Sequence, residues 1–518
     1  MRRKFNVTGS CNPERHYMVD TAKRFDSIKE MIDAGEYFAI NRARQYGKTT
    51  TLQTIRRKLS DRYLIIKTSF EGVGDQPFKA EGSFVKMFAR LVQDELRRNI
   101  DGERYVSVWD GDKMNDFKDL AQTVSRFCSG FPHPVVVLID EVDKSSDNQT
   151  FLGFIGMLRD LYLLREDNGM DSTFHSVILA GVYDVKNLKL KLRPNEERKY
   201  NSPWNIAADF NVDMTFHPEE IAQMLTDYEN DMHTGMDVML MGKEIYKYTS
   251  GYPYLVSAIC KLIDERMDAQ WNAENVQKAV KIIAKGENVT LLDDLSKNLE
   301  NIPELREFLY SISVNGQEYT YALIDPMIKL ADMFSYIKEN QRGKTMIHNL
   351  IFEEALFVYF SNRYMREQGS RISPFVNSYI QNGHLNMEYV VTRFRDLMRE
   401  EYRDSTTAFL EREGRLLFLT FLKPIINGVG FYYVEPQTRN NRRMDLVVNY
   451  EKQEFVVELK IWRGERYEED GKRQLAEYLE IRGLSEGYLL TFDFSKDKSQ
   501  AEPRWMVIAG KRIFEAVI

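Results

Sequence analysis

Across positions 1–217, apolar residues fall into short runs separated by amphipathic stretches. The first helical period, RFDSIKEMIDAGE, stops at Gly35, and Tyr37–Ile40 follows as an apolar strand. YLIIKTS (Tyr63–Ser69) is a short β-rich run, with a helical segment expected around Phe84–Arg98. Val135-Val136-Val137-Leu138-Ile139, rich in β-branched side chains, suits a strand buried on both faces, as in a parallel sheet. A helical stretch (Phe151–Arg165), an apolar strand (Val177–Ala180) and a later strand ending near Phe216 continue the alternation. Strands alternating with helices predict a doubly wound α/β core.

From Pro218 the period turns helical, and 218–300 reads as a helical lid in which Gly251-Tyr252-Pro253 punctuates two helices. Residues 301–370 are helix-rich, but FSYIKEN and TMIHNLI flank a Gly turn, a hairpin signal that suggests a winged helix. Gly343-Lys344-Thr345 in that turn mimics a phosphate loop; no strand-to-helix switch surrounds it, so it reads as a wing turn. Residues 371–385 read as a linker, and 386–518 as a final domain that opens on a long helical region.

Chemistry enters first at YFAINRARQYGKTTTL. An apolar strand, a basic loop, Gly47-Lys48-Thr49 and a Thr-rich helix start form the layout of a phosphate-binding loop. Backbone N–H groups and a helix N-terminus face the anion, the Lys reaches the β/γ-phosphates, and the Thr hydroxyl helps to hold Mg²⁺. The candidate nucleotide-binding stretch is Arg44, Gln45, Tyr46, Gly47, Lys48, Thr49 and Thr50, although Arg42 stands where the usual pattern has its first Gly. In such enzymes the strand beside the loop delivers an Asp to the Mg²⁺ shell. Asp140, at the end of the β-branched strand, fits that part, and Glu141 fits a general base for the hydrolytic water.

The second constellation is RRMDLVVNYEKQEFVVELKIWRG. Its β-rich runs, Met444–Asn449 and Glu454–Ile461, flank YEKQ as an antiparallel hairpin. That register pairs Asn449 with Glu454 and Asp445 with Glu458. Opposite residues have Cβ atoms roughly 4.5–5.5 Å apart, so the two carboxylates suit a divalent hard cation that relieves their repulsion. Lys460 shares the face of Glu458, where it can position or activate a water for phosphodiester attack; a bare salt bridge to the carboxylates is the competing reading. Gln474 and Tyr478 lie at i, i+4 on a downstream helix.

Composition narrows the classes. The chain has 518 residues, 43% hydrophobic and 29% charged, which describes a multidomain globular protein. No apolar run approaches the roughly 18 residues of a membrane span, and no secretory segment is apparent. Three dispersed cysteines (Cys11, Cys128, Cys260) argue against a disulfide framework, so a reducing cytoplasm is expected. With 71 basic and 78 acidic residues the net charge is −7, so any nucleic-acid contact must be local.

Two resemblances join these readings. Residues up to about 370 resemble the AAA-like P-loop ATPases related to the archaeal-ATPase and STAND group, through NVTGSCNPERHYMVD, RARQYGKTTTL, VVVLIDEVDK and GYPYLV. Relatives in that group often lack the first Gly of the loop. The resemblance implies ATP and Mg²⁺ at Lys48, Thr49, Asp140 and Glu141, with Gly251-Tyr252-Pro253 as the lid motif. From about 400 to 495 the chain looks like the PD-(D/E)XK nuclease superfamily: Asp445, Glu458 and Lys460 match its core, Gln474 the helix Gln of RecB-like members, and Glu413 (or Glu411) the first-helix acid.

The expected protein is therefore an α/β multidomain chain: a P-loop NTPase parallel-sheet core with helical lid and winged helix, then an α/β PD-(D/E)XK nuclease-like domain. Its expected work is ATP-regulated DNA cleavage with Mg²⁺ or Mn²⁺. The rivals are an ATP-driven switch or scaffold that binds without cutting, and a plain DNA-translocating ATPase. Arg42, Arg44, Arg193 and Arg198 are all candidates for an arginine finger, and His16 and Tyr17 either flank the adenine or pack the N-terminal segment. Oligomeric state is left open, a homo-oligomer included.

Overall fold

The structure, a computed structural model, describes residues 2–99, 102–142, 149–168, 173–182, 204, 206–286, 290–314, 317–368, 379–381, 384–401, 407–426, 430–433, 446–451, 453–461, 465–493 and 502–518. Two compact units emerge: Met1–Ile283 with Leu330–Tyr336, and Ala284–Lys329 with Ile337–Ile518.

In the first unit, α1 (Ala22–Asp33) precedes β1 (Phe38–Asn41) and α2 (Lys48–Leu59). Then come β2 (Leu64–Ser69), α3 (Glu81–Arg97), α4 (Phe117–Gly130), β3 (Val135–Asp140), α5 (Gln149–Asn168) and β4 (Ser176–Gly181). The four strands pair in parallel in the order β1-β4-β3-β2. Every residue of β3 and β4 is buried, as their near-continuous apolar runs require of strands covered on both faces. Alternate residues Val135, Val137 and Ile139 join a core with Phe84, Phe88 and Phe127 from α3 and α4.

One expectation needs correction, and another gains a sheet order. The strand that ends in Asp140 meets the loop at Thr49, with β4 between β3 and the loop-bearing β1. Sheet order is set by crossovers, which leave no local pattern in the sequence. The strand expected to end near Phe216 is reduced to one bridge, Phe38 to Ala208, where the Ala208 N–H donates to the Tyr37 carbonyl over 2.8 Å. Beyond it side chains replace the ladder: Phe210 stacks on Phe38 at 5.9 Å, and Arg42 donates to the Val212 carbonyl over 2.9 Å.

The stretch after Phe216 is helical: α6 (Pro218–Met232), α7 (Val238–Thr249), α8 (Pro253–Arg266) and α9 (Ala273–Ala284). Gly251 has φ +73°, and a Cβ there would lie 2.1 Å from the Phe216 carbonyl oxygen, so only glycine fits.

Next along the chain come α10 (Thr290–Asn301), α11 (Pro303–Ser313), α12 (Pro326–Met333, whose residues from Leu330 belong to the first unit), β5 (Ile337–Glu339), β6 (Thr345–Ile347) and α13 (Leu350–Gln368). β5 and β6 form the expected hairpin, with Ile337 opposite Ile347. Its turn is held by the Asn340 side chain, which accepts the Arg342 and Lys344 N–H groups over 2.9 and 3.0 Å, so Gly343-Lys344-Thr345 is a turn and first strand residue. After β7 (Ile380–Gln381) and β8 (His384–Leu385), the long helical region divides into α14 (Met387–Glu401) and α15 (Thr407–Ile426).

The remaining elements are β9 (Gly430–Tyr433), β10 (Leu446–Tyr450), β11 (Gln453–Ile461), α16 (Glu465–Arg482), β12 (Glu486–Phe492), β13 (Arg504–Ile508) and β14 (Lys511–Val517). They build a mixed sheet in the order β13-β14-β12-β11-β10-β9, parallel only across β11, β12 and β14. Val447, Val456, Leu489 and Ile513 on one face pack against Leu475, Ala476 and Leu479 of α16. Among the described residues no helix is long and apolar enough to cross a membrane.

Candidate nucleotide and nuclease sites

The buried strand β1 delivers the loop, and α2 starts directly after it, with Gly47 as its N-cap in the left-handed region (φ +82°). Gln45 is left-handed too (φ +58°), and these two turns fold the loop back over the helix end. The buried Lys48 ammonium donates to the carbonyls of Arg42 and Ala43 over 2.8 and 2.9 Å. A phosphate arriving at the helix N-terminus competes with those carbonyls for the same cation. Thr49 Oγ1 donates to Asp140 Oδ2 over 2.8 Å, across the intervening β4 register. Asp140, 3% exposed, also accepts the Glu141 N–H at Oδ1 over 3.1 Å. Glu141 takes the left-handed region (φ +55°), a strained choice for a side chain of this kind that ends β3 at once. A hydroxyl and a carboxylate so joined are hard oxygen donors of the type Mg²⁺ takes.

The other predicted loop residues have different surroundings. Thr50 Oγ1 accepts the Cys11 N–H over 3.1 Å, so its hydroxyl fastens the N-terminal segment to α2. Tyr46 is buried, edge-on to the Tyr252 ring at 4.6 Å; burial outweighs its neighbours and raises its phenol well above the ordinary range. Arg44 is exposed, and its carbonyl accepts the Tyr252 hydroxyl over 2.6 Å. Arg42 commits its guanidinium to the Asn41 and Val212 carbonyls and lies over the Phe210 ring at 5.3 Å, which makes it a strut of the loop. Arg193 and Arg198 lie outside the described residues. Tyr17 takes the packing role: its hydroxyl donates to Asp231 over 3.0 Å, its ring meets Phe5 and Tyr228, and burial with that bond pushes its phenol up to about 12. His16 accepts the Asn12 N–H through Nδ1 over 3.0 Å.

Tyr252 is the contributor that sequence reasoning missed. It is the N-cap of α8, directly after Gly251, and it ties the start of α8 to the loop before α2. Gly-Tyr-Pro signalled the helix start but not the partner of the hydroxyl.

The nuclease-like site is built on the β10–β11 hairpin. Tyr450 pairs with Gln453, and Asn449 pairs with Glu454 as expected. Asp445, one step before β10, lies outside the described residues, as do the side chains of Glu411 and Glu413 in α15. Glu458, 2% exposed, lies 3.4 Å from Lys460 Nζ through Oε1, and Lys460 Nζ donates to Gln474 Oε1 on α16 over 3.2 Å. The structure thus joins Glu458, Lys460 and Gln474. Tyr478 instead packs in the core and accepts Arg482 Nε over 2.6 Å. No group of three or more His, Cys, Asp or Glu suited to a metal occurs among the described residues, and Glu458 is a described carboxylate at this site.

Among solved structures, the chain is similar to a Walker-type ATPase of Pyrococcus abyssi at 11% identity and a TM-score of 0.48, covering 68% of this chain and 99% of that one. It is also similar to the ORC2 protein of Aeropyrum pernix in its ADPNP-ADP complexes (12% identity, TM-score 0.37, 70% and 97% covered). The ORC1 protein of Aeropyrum pernix in complex with DNA matches at 12% identity and a TM-score of 0.30, with 67% and 94% covered. No curated protein matches. The PD-(D/E)XK nuclease superfamily matches residues 428–502, the span of the β10–β11 hairpin and α16. The AAA-like domain matches residues 10–333, more than half of the chain, from the N-terminal segment that Thr50 fastens to the last turn of α12. The chain belongs to the AAA-like family and carries a PD-(D/E)XK nuclease superfamily domain after its ATPase module.

Proposed function

We propose that this chain is an ATP-regulated, metal-dependent DNA endonuclease. The observation that carries the reading is the presence of two separate constellations on one chain: Lys48, Thr49, Asp140 and Glu141 around a helix N-terminus, and Glu458, Lys460 and Gln474 on a hairpin and its covering helix. Thr49 and Asp140 would hold Mg²⁺ with ATP, and Glu458 together with Asp445 would hold Mg²⁺ or Mn²⁺. When bound, such a cation offsets phosphate charge and lowers the pKa of a water. Within the chain, Lys48 binds phosphate, Glu141 serves as base towards the hydrolytic water, and Lys460 orients the attacking water at the phosphodiester, itself held by Gln474. Residues 218–300 and 301–370, as lid and winged-helix domains, relay the nucleotide state. The Tyr252 hydroxyl on the Arg44 carbonyl supports the first link of that relay, because the loop that meets the phosphate also carries the lid. Reducing cytoplasm is the proposed compartment.

Cleavage of single- and double-stranded DNA in the presence of Mg²⁺ or Mn²⁺, with Lys460→Ala as control, tests the reading. Products from wild type and none from the variant are expected. Identical product patterns would remove the nuclease assignment. Tight ATP binding with no cleavage of any nucleic acid, and an ATP-dependent change in oligomer size, would favour a switch or scaffold.

A further inference from the structure

Gly471 sits inside α16, where glycine is disfavoured relative to alanine, and its backbone is not in the left-handed region that would call for it. The reason for glycine lies across the interface with the sheet. A Cβ at this position would stand 2.6 Å from Lys460 Nζ, 2.9 Å from its Cδ and 3.1 Å from its Cε. The notch left by the missing side chain is therefore filled by the lysine stem on its way to Glu458 and Gln474.

The helix is not free to rise and make room. Lys472, the next residue, reaches Glu515 Oε1 over 2.6 Å, and both side chains are largely buried. Glu515 pairs with Leu489, which pairs with Glu458, so this ion pair pins α16 to the same face of the sheet two strands from the site. Further along, Leu475 and Leu479 close onto Gly487 of β12, where a Cβ would meet Leu479 Cδ1 at 2.8 Å. With the helix seated at two points, a methyl at 471 displaces the flexible lysine rather than the helix.

We propose that Gly471 is a positioning residue that sets the place of Lys460 between Glu458 and Gln474. As a device for phosphodiester cleavage it rests on the function proposed above; as a statement about Lys460 it does not.

The test uses the full chain with Gly471→Ala. Limited acylation with acetic anhydride, read by mass spectrometry, reports the reactivity of Lys460, with Lys472 as internal reference. Loss of one ordinary hydrogen bond implies a rise at Lys460 of about fivefold or more, with Lys472 unchanged. Unchanged reactivity at Lys460 overturns the proposal. In DNA cleavage by a wild type that cuts, kcat should fall at least about tenfold with KM unaltered; raised reactivity with an unaltered kcat overturns the positioning role. A wild type that cuts no DNA refutes the proposed function, while the reactivity measurement still decides the place of Lys460. Should Gly471→Ala fold poorly, the same change in a Lys460→Ala background resolves it. A drop in unfolding temperature that disappears in that background supports the proposal, and an equal drop in both overturns it.

Discussion

Two glycines, one between α6 and α7 and one before α8, share a left-handed backbone and differ in what surrounds them. Gly235 (φ +77°) has nothing within 4 Å of a prospective Cβ, whereas at Gly251 (φ +73°) that Cβ would lie 2.1 Å from the Phe216 oxygen and 2.9 Å from its carbonyl carbon and its nitrogen. Alanine at either position pays about 1–2 kcal/mol for the left-handed backbone, less about 0.4–1 kcal/mol from a stiffer unfolded chain. Only Gly251→Ala must also separate two backbone segments joined by the Phe216 N–H donating to the Gly251 carbonyl over 2.8 Å. Losing that bond costs about 1 kcal/mol, and overpacking adds about 1–3 kcal/mol. Gly251→Ala is therefore expected to destabilise the first unit by at least about 2 kcal/mol more than Gly235→Ala. Urea denaturation of the two variants against wild type measures the difference. Because Tyr252 follows Gly251, ATP affinity should fall in Gly251→Ala and hold in Gly235→Ala. Equal midpoints for the two variants would refute the steric reasoning, whatever the fate of ATP binding.

Other consequences follow from single contacts. Tyr252→Phe keeps the ring against Tyr46 but removes the bond to the Arg44 carbonyl, worth about 1 kcal/mol or about fivefold in lid opening; amide exchange in the first turn of α8 should speed up accordingly, and unaltered exchange would remove the tie. Thr49→Val should weaken MgATP binding more than binding of metal-free ATP, since its hydroxyl faces Asp140; equal weakening would take Thr49 out of the metal's reach. Burial raises the Asp33 carboxyl, but hydrogen bonds from Lys29 and Tyr63 outweigh it and hold the group below the usual carboxylate range. A depressed pKa means stability present above the unfolded value, about 3.9, and lost as pH falls through the folded one. Asp33→Asn should thus cost stability near neutral pH, with the deficit shrinking in acid; a deficit constant with pH would contradict the assignment.

Much of the architecture was legible because it depends on local signals. β-branched runs marked β3 and β4, a Gly turn marked the β5–β6 hairpin, and β-rich runs around YEKQ marked the other, down to the pairing of Asn449 with Glu454. What escaped depends on how distant segments meet. The place of β4 between β1 and β3 is a property of crossovers. The segment before Phe216 has alternation enough for a strand, yet Arg42 and Phe210 hold it along β1 with one bridge in place of a ladder. Tyr46 and Thr50 sit inside the loop motif, but one packs on Tyr252 and the other fastens the N-terminal segment, partners that spacing cannot reveal. Gly471 carried the weakest mark of all, a glycine inside a helical pattern whose partner lies on β11.

The central claim is that the loop around Lys48 controls chemistry at Lys460. Its most direct test is DNA cleavage by the full chain in Mg²⁺ or Mn²⁺, measured with and without ATP, for wild type, Lys48→Ala and Lys460→Ala. The account predicts cleavage by wild type that changes with ATP, cleavage by Lys48→Ala that no longer responds to ATP, and none by Lys460→Ala. An identical ATP response in wild type and Lys48→Ala would contradict it.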